Sequence, residues 1–145
     1  MRGWAYRSAR LWAMDYTSSL EGVRAEHLAG FFADWPVAPS PERHLQIMAG
    51  SSQVVLAREE SGMVAGFVTA VSDGALAAYI PLLEVRHDRR GEGIGTELAR
   101  RMLDRLSGLY MVDLVCDPGL LPFYARLGLQ PYCAAILRNR AALAR

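Results

Sequence analysis

The chain has 145 residues, of which 52% are hydrophobic and 21% are charged, and its formal net charge is +1. This length supports one domain over residues 1–145 with a single hydrophobic core, and the composition excludes a disordered chain. The near balance of charge gives no reason to expect nucleic acid or an anionic membrane surface as a partner. Because we find no signal peptide and no apolar run near the ~20 residues of a membrane span, we expect a soluble cytoplasmic protein.

The two cysteines, Cys116 and Cys133, show neither a Cys-x-x-Cys pair nor a Cys/His metal spacing. We therefore expect no metal ion. Both thiols should be reduced in the cytoplasm, and we predict that both pack in the core.

The first part of the chain predicts one strand and two helices. Residues 11–16 are expected to form the first strand. Apolar residues then recur at the spacing of one helix face, at Leu28, Phe31, Phe32 and Trp35. A proline-rich stretch ends this pattern, and a second helix should follow with Ser40 as its N-cap and Pro41 in its first turn. Gly50 suits the end of that helix.

Three short apolar runs in the centre of the chain predict β-strands, at residues 53–58, 63–71 and 77–86. Polar turns of a few residues separate the runs, so neighbouring strands should be antiparallel. An amphipathic helix is predicted next, since one apolar stripe is formed by Ile94, Leu98, Met102 and Leu106.

The last part predicts a strand, a helix and a final strand. Residues 110–116 have the composition of a strand, and Asp117 is expected to cap the helix after it. That helix ends at Gly128, and its apolar stripe consists of Leu120, Phe123, Tyr124 and Leu127. A strand at residues 132–137 completes the order β-α-α-β-β-β-α-β-α-β, which is an α/β fold with a mixed sheet.

A glycine-rich turn lies between the strand at residues 77–86 and the helix that follows. Its glycines, at positions 91, 93 and 95, would let a phosphate approach the backbone. The N-terminus of the helix adds unpaired N–H groups and a favourable dipole. Basic side chains are crowded beside the turn: Arg86, His87, Arg89 and Arg90. These features predict a phosphate site.

The spacing of the glycines distinguishes among the classes of ligand that such turns bind. A dinucleotide fingerprint needs glycine where this chain has Thr96, and a Walker loop needs a lysine that the turn lacks. A nucleotide-binding domain is therefore disfavoured. The remaining pattern is Arg-x-x-Gly-x-Gly directly after a strand, formed by Arg90, Gly93 and Gly95.

Residues 83–98 resemble motif A of the GNAT superfamily of N-acetyltransferases, and residues 117–129 (DPGLLPFYARLGL) resemble its motif B. The two stretches occur in the order and separation of that family. The resemblance implies a mixed, mostly antiparallel central sheet with helices on both faces. It also implies acetyl-CoA as co-substrate and an amine-bearing small molecule or protein as the acceptor.

The resemblance implies roles for individual residues. Backbone groups of Leu83, Glu84 and Val85 would pair with the pantetheine arm, and an N–H near Leu83 would polarise the thioester carbonyl. Tyr124 corresponds to the family tyrosine that protonates the departing thiolate, although its place on an apolar stripe also suits a core aromatic. The pyrophosphate would be held by Arg90, Gly91, Glu92, Gly93, Ile94, Gly95 and Thr96.

The general base is the residue that the family pattern leaves open. Some relatives place a glutamate on the strand before the turn, whereas residues 78–83 carry no carboxylate here. Glu84 is the nearest acid, and its apolar neighbours could raise its pKa. It could equally pair with an arginine or anchor a loop. Asp73 and Asp113 are weaker candidates, and His87 is expected to face phosphate or solvent.

Two functions remain open at this stage. The chain is either an acetyl-CoA-dependent N-acetyltransferase or an acyl-CoA-binding sensor or interaction domain without turnover. The missing strand glutamate favours the second. The sequence names neither the acceptor amine nor the length of the acyl group, and it leaves a homodimer open.

Overall fold

The computed structural model describes residues 14–145, which form a five-stranded sheet with three α-helices. The strands are β1 (Asp15–Thr17), β2 (Gln53–Arg58), β3 (Val64–Ser72), β4 (Ala77–Val85) and β5 (Met111–Asp113). The helices are α1 (Pro41–Gly50), α2 (Ile94–Arg105) and α3 (Leu121–Ala125). Short 3₁₀ helices span Ala25–Leu28, His87–Arg89, Pro118–Leu120 and Arg140–Ala144.

The strands follow one another across the sheet in chain order. β1 to β4 are antiparallel neighbours, and tight turns connect β2, β3 and β4. β5 lies parallel to β4, because α2 carries the chain back along the sheet between them. The predicted mixed, mostly antiparallel sheet is confirmed, and its three central strands match the predicted runs within one residue at each end.

Side chains of β2 and β3 alternate between two hydrophobic cores, one on each face of the sheet. Leu56 and Phe67 pack with α1 and the segment before it, whereas Ala57 and Val68 pack with α2. Helices therefore cover both faces, as the family resemblance implied. The predicted apolar stripe of α2 is at most 3% exposed and comprises Ile94, Leu98, Met102 and Leu106.

α1 begins and ends where its sequence predicts. The Ser40 hydroxyl oxygen accepts the backbone N–H of Arg43 at 3.2 Å, and Pro41 occupies the first turn. This bond satisfies one of the N–H groups that have no partner inside the helix. The helix ends at Gly50. Within residues 14–145, no helix has the length and apolar character needed to cross a membrane.

The first predicted helix does not form. A 3₁₀ helix ends at Leu28, and Gly30 then adopts a φ of 91°, which an α-helix cannot contain. Phe31 and Phe32 are only 8% and 1% exposed, so they reach the core from a loop. Trp35 is 41% exposed. The apolar spacing therefore identified Phe31 and Phe32 correctly as buried, but it was wrong about Trp35 and about the helix.

The last predicted strand, residues 132–137, does not form either. Residues 130–139 contain neither helix nor strand, and all of them are exposed. Cys133 is therefore exposed, contrary to the prediction, and Cys116 is only partly buried; both thiols are free. At the other end, residues 11–13 of the first predicted strand lie outside the described residues, and β1 begins at Asp15.

Candidate active site

The central feature of the candidate site is a gap between β4 and β5. The two strands pair only from Ala77 to Tyr79 of β4. Beyond that point β4 stays paired with β3 as far as Val85, while β5 diverges. One backbone edge of residues 82–85 therefore faces the gap, and no strand of the described chain covers it.

A β-bulge in β4 explains the divergence. Between Thr69 and Val71, β3 has a single residue, whereas the facing stretch of β4 has two, Ile80 and Pro81. A bulge bends its strand and increases the local twist, and proline has no N–H to donate to a neighbouring strand. Pro81 thus marks the point in the sequence at which β4 leaves β5.

The glycine turn opens toward solvent at the end of this gap. Gly91 and Gly93 have φ values of 78° and 82°, and a Cβ at either position would meet nothing within 4 Å. Gly93 is the N-cap of α2, so no side chain caps the first turn of that helix. Open space, N–H groups and the helix dipole together suit a phosphate group.

Gly66 on β3 lets α2 lie close against the sheet. A Cβ at this position would lie 2.9 Å from Leu98 Cδ1 and 3.2 Å from the backbone oxygen of Glu84. The same close approach places Gly95 beside Val85, where an added Cβ would stand 3.4 Å from the valine side chain. The N-terminus of α2 is thereby held next to the uncovered end of β4.

Two of the arginines beside the turn are paired with acids. Glu59 binds Arg86 at 2.8 Å and Arg89 at 2.7 Å. Arg86 also binds Asp88 at 2.6 Å, and Arg89 binds Glu92 at 2.7 Å. The positive charge predicted at these two positions is therefore offset by carboxylates, and the network instead ties the turn to the end of β2.

Arg90 is the arginine of this group that reaches the edge of β4. Its Nε donates to the backbone oxygen of Val85 at 3.2 Å, and its side chain is 46% exposed. The nearest carboxylate is that of Asp34, at 3.8 Å and itself 86% exposed. Arg90 thus keeps a solvent-facing charge beside the turn. His87 is exposed, as predicted.

Glu84 lies opposite Phe67, on the face of the sheet that α1 covers. Its Oε1 accepts the backbone N–H of Phe32 at 2.7 Å. Phe32 has a φ of 62°, which is uncommon for a residue other than glycine. Burial raises the pKa of Glu84, against the opposing effects of the Phe32 N–H and Arg90. The loop anchor is therefore present, and a role as base remains a prediction.

Tyr124 on α3 approaches the gap from the other face of the sheet. It shares a small cavity with Leu83, so the phenol lies near the uncovered edge of β4. It also lines a cleft of about 720 Å³ between β5, α3 and residues 127–134. Burial raises the pKa of Tyr124, and the neighbouring Cys116 adds to the rise. The phenol therefore stays protonated at neutral pH and can donate a proton.

The other acidic candidates are engaged in turns or lie in solvent. Asp117 stands at the N-cap of the helix after it, but its side chain makes no cap bond, so the predicted cap is wrong. Asp73 accepts the N–H groups of Leu76 and Ala75 at 2.8 Å each, and these bonds lower the pKa of Asp73. Asp113 is exposed on β5.

Sequence reasoning missed two residues that shape the site. Glu59 lies 27 residues before Arg86 and 30 before Arg89, so no local pattern could reveal the shared contact. His44 packs beside Phe32 with its ring centroid 4.9 Å away, and it supports the loop that Glu84 anchors. The sequence could have indicated that His44 is buried, because His44 and Met48 are one helical turn apart on the buried face of α1.

Comparison with known proteins agrees with this geometry. A family model for the acetyltransferase (GNAT) family matches residues 20–129. The chain belongs to the GNAT acetyltransferase family. A candidate acetyltransferase from Deinococcus radiodurans is 48% identical to this GNAT protein, with a TM-score of 0.90 over 92% of this chain and 94% of that one.

More distant solved structures share the fold of this GNAT protein. A GNAT family protein from Streptococcus pneumoniae is 22% identical, with a TM-score of 0.70 over 88% of this chain and 98% of that one. A ribosomal-protein-alanine N-acetyltransferase from Brucella melitensis is 19% identical, with a TM-score of 0.66 over 88% and 100%. No curated protein matches the sequence.

Members of the GNAT family use acetyl-CoA as co-substrate, and the residues present fit it. The uncovered edge of β4 can bind an extended arm, and the open turn at Gly91 and Gly93 has room for a pyrophosphate. Residues 14–145 contain no group of three or more His, Cys, Asp or Glu side chains placed to hold a metal ion.

Proposed function

We propose that this GNAT protein is an acetyl-CoA-dependent N-acetyltransferase that acts on a primary amine of a small molecule or a protein. The observation that carries the proposal is the uncovered edge of residues 82–85, which leads directly to the open glycine turn. An extended amide-bearing arm can bind such an edge as an added strand does. Its pyrophosphate then reaches the N-terminus of α2.

Different parts of this site bind different portions of acetyl-CoA. Bound acetyl-CoA supplies an acetyl group activated as a thioester. The backbone of Leu83, Glu84 and Val85 orients the arm, and an N–H near Leu83 polarises the carbonyl oxygen. Arg90 and the backbone of residues 91–96 hold the pyrophosphate.

Two side chains transfer the protons of the reaction, one as base and one as acid. The Glu84 carboxylate accepts a proton from the acceptor amine, directly or through water, because only a neutral amine can attack. Its raised pKa makes it a stronger base than an exposed glutamate. The Tyr124 hydroxyl donates its proton to the departing thiolate from the opposite face. The two groups thus flank the gap between β4 and β5.

Ligand binding is tested by thermal unfolding with acetyl-CoA, CoA, ATP and NAD. A ligand at ~100 times its Kd should stabilise the fold by about 2.7 kcal/mol, a rise of several degrees in Tm. We expect this rise with acetyl-CoA and CoA alone. Gly93→Ala forces a side chain into a φ of 82° and should weaken CoA binding by about tenfold or more. Gly108→Ala, where a Cβ meets nothing within 4 Å, is the matched control.

Turnover is tested by CoA release with a panel of amines. All 16 Lys+Arg residues of the chain are arginine, so no lysine of the enzyme itself can consume acetyl groups. Tyr124→Phe should lower kcat by about 10²-fold or more while leaving CoA affinity within about twofold, since it removes only a proton donor. Unchanged turnover in this variant would remove Tyr124 from the mechanism.

A second function is favoured by the contact of Glu84 with the Phe32 amide. A carboxylate occupied in anchoring a loop is a poorer base, and the domain would then bind acyl-CoA as a sensor without turnover. CoA binding with no CoA release across the amine panel would support the sensor. Release with any amine would exclude it.

A further inference from the structure

The loop at residues 30–35 is attached to the end of β4 at two points. The Glu84 carboxylate accepts the N–H of Phe32 at 2.7 Å. The side chain of Arg86 packs beside Gly30, where an added Cβ would stand 3.2 Å from Arg86 Cγ and Cδ. The loop is thereby held in a fixed position beside the proposed base.

Phe32 and Trp35 pack against each other within this loop. The Trp35 N–H donates to the backbone oxygen of Phe32 at 3.1 Å, and the two rings meet edge to face with centroids 5.2 Å apart. Phe32 is 1% exposed and rests on His44, whereas Trp35 remains 41% exposed. An exposed indole that is already held in place can bind a cation with little further loss of side-chain freedom.

Asp34 gives the exposed side of the loop a negative charge. Its side chain is 86% exposed. Burial raises the pKa of Glu84, and the charge of Asp34 adds to the rise, so the two carboxylates lie close enough to interact. An exposed carboxylate next to an exposed indole favours a positively charged group.

Arg90 is the cation that lies within salt-bridge range of Asp34 in the described part of the chain. Its Nη2 is 3.8 Å from Asp34 Oδ2, and because both side chains are well exposed this pair is weak. In the proposed function the pyrophosphate of CoA engages the same guanidinium. Asp34 then loses its cation in the CoA-loaded protein, which is the form that binds the acceptor.

We propose that the acceptor is a diamine, of which one amine reacts beside Glu84 while the second, positively charged, binds Asp34 and the face of Trp35. This assignment rests on the proposed function, since it names the class of amine used at that site. The chain between the two amines is short. One guanidinium, that of Arg90, reaches both the Val85 backbone oxygen at 3.2 Å and the Asp34 carboxylate.

The two ends of a diamine need different surroundings, and the two carboxylates provide them. The reacting amine must lose its proton, and the half-buried Glu84 is placed to accept it. The other amine keeps its proton, because the ordinary pKa of an alkylamine is about 10. An exposed carboxylate such as Asp34 holds that charge without removing it from water.

The test is CoA release with two amines of equal length, diaminobutane with its amines at opposite ends and butylamine. They differ by one positive charge. We expect the wild type to show a kcat/KM at least about tenfold higher for diaminobutane. An amino acid of the same length, with a carboxylate in place of the second amine, should be the poorest of the three. Equal values for diaminobutane and butylamine overturn the proposal.

Substitutions in the loop test the residues. Asp34→Asn and Trp35→Leu should each lower the ratio of kcat/KM for diaminobutane to that for butylamine by about fivefold. This ratio cancels any general loss of activity. Val37→Ala, at a site 46% exposed and two residues beyond Trp35, should leave the ratio within about twofold of the wild type. An unchanged ratio in Asp34→Asn rejects the site.

A charge reversal and a salt series test the electrostatic basis of the preference. Asp34→Arg should favour the amino acid with the terminal carboxylate over diaminobutane. In the wild type, the preference for diaminobutane should fall as NaCl rises from about 0.05 M to about 0.5 M, because salt screens exposed charges. A preference that does not change with salt, or that survives Asp34→Arg, shows that this carboxylate does not select the acceptor.

Two outcomes separate this site from the proposed function. CoA release with butylamine as efficient as with diaminobutane supports the N-acetyltransferase and excludes the diamine site. If no amine releases CoA, the proposed function fails and ligand binding decides. With CoA present, diaminobutane should raise the Tm of the wild type more than butylamine does at the same concentration, and Asp34→Asn should abolish the difference. Equal Tm values with the two amines then reject the diamine site.

Discussion

Replacing His44 with leucine should remove a pH-dependent loss of stability from this protein. The His44 side chain is 1% exposed and lies among Phe31, Phe32 and Phe67, with ring centroids 4.2 to 5.3 Å away. Among the described residues neither ring nitrogen has a hydrogen-bond partner. Burial therefore lowers the pKa of His44 to about 4, since the charged ring would lose its hydration.

The sign of the effect follows from proton uptake. As pH falls below about 6.5, the ordinary pKa of histidine, the unfolded chain binds a proton at this position before the folded chain does. Stability is therefore lost progressively from about pH 6.5 down to the folded pKa of about 4 and changes no further below it. The loss amounts to about 2 kcal/mol at pH 5 and about 3 kcal/mol at pH 4.

The assay is urea unfolding of the wild type and His44→Leu at pH 7.5, 6 and 5. Leucine fits the apolar site without a titrating group, so the wild type should lose about 2 kcal/mol relative to the variant between pH 7.5 and pH 5. The difference between the two proteins cancels the titration of other groups. His27→Gln, which removes a histidine outside the aromatic cluster, is the control. Parallel stability curves for wild type and His44→Leu would refute the reasoning.

Three further predictions concern the framework of the site. Gly66→Ala should lower the free energy of unfolding by about 1–3 kcal/mol, because its Cβ would press on α2 and the β4 backbone, while Gly108→Ala should change it little by the same denaturation assay. Ser40→Ala should lower the free energy of unfolding by about 1 kcal/mol, because α1 loses its N-cap bond. This loss should appear as a lower Tm with an unchanged urea m-value. Glu59→Gln should lower the free energy of unfolding by about 1–2 kcal/mol, because two partly buried arginines lose their shared carboxylate. The same change should weaken CoA binding severalfold in titration calorimetry. Unaltered CoA affinity would show that this network does not support the turn.

Local periodicity sufficed for most of the sheet and for α2. The three central strands are short apolar runs bounded by polar turns, and the α2 stripe repeats at helical spacing; in each of these cases the predicted element forms. The same reasoning failed at residues 28–35, where Gly30 breaks the helical path. The apolar spacing indicated that Phe31 and Phe32 are buried, whereas the positive φ of Gly30 means that a loop and not a helix brings them to the core.

Parts of the candidate site were also accessible from the sequence. Gly91 and Gly93, which were expected to let a phosphate approach the backbone, have a positive φ and open space around them. The motif resemblance implied that Tyr124 lies near the thiolate, and in the structure Tyr124 shares a small cavity with Leu83 of β4. The partners of the charged groups were not accessible. Glu84 meets the Phe32 amide across 52 residues of chain, and Glu59 meets Arg86 across 27. Such contacts depend on which strands become neighbours.

The sequence by itself determined the order of the central elements and the family of the protein, and it predicted a phosphate site at the glycine turn, because these depend on residues close together in the chain. Only the tertiary structure decided that Arg86 and Arg89 are paired with acids, that β4 leaves β5 after Pro81 and that residues 130–139 remain exposed. The physical reason is that charge pairing and strand separation are set by groups distant in sequence, whose meeting the fold alone arranges.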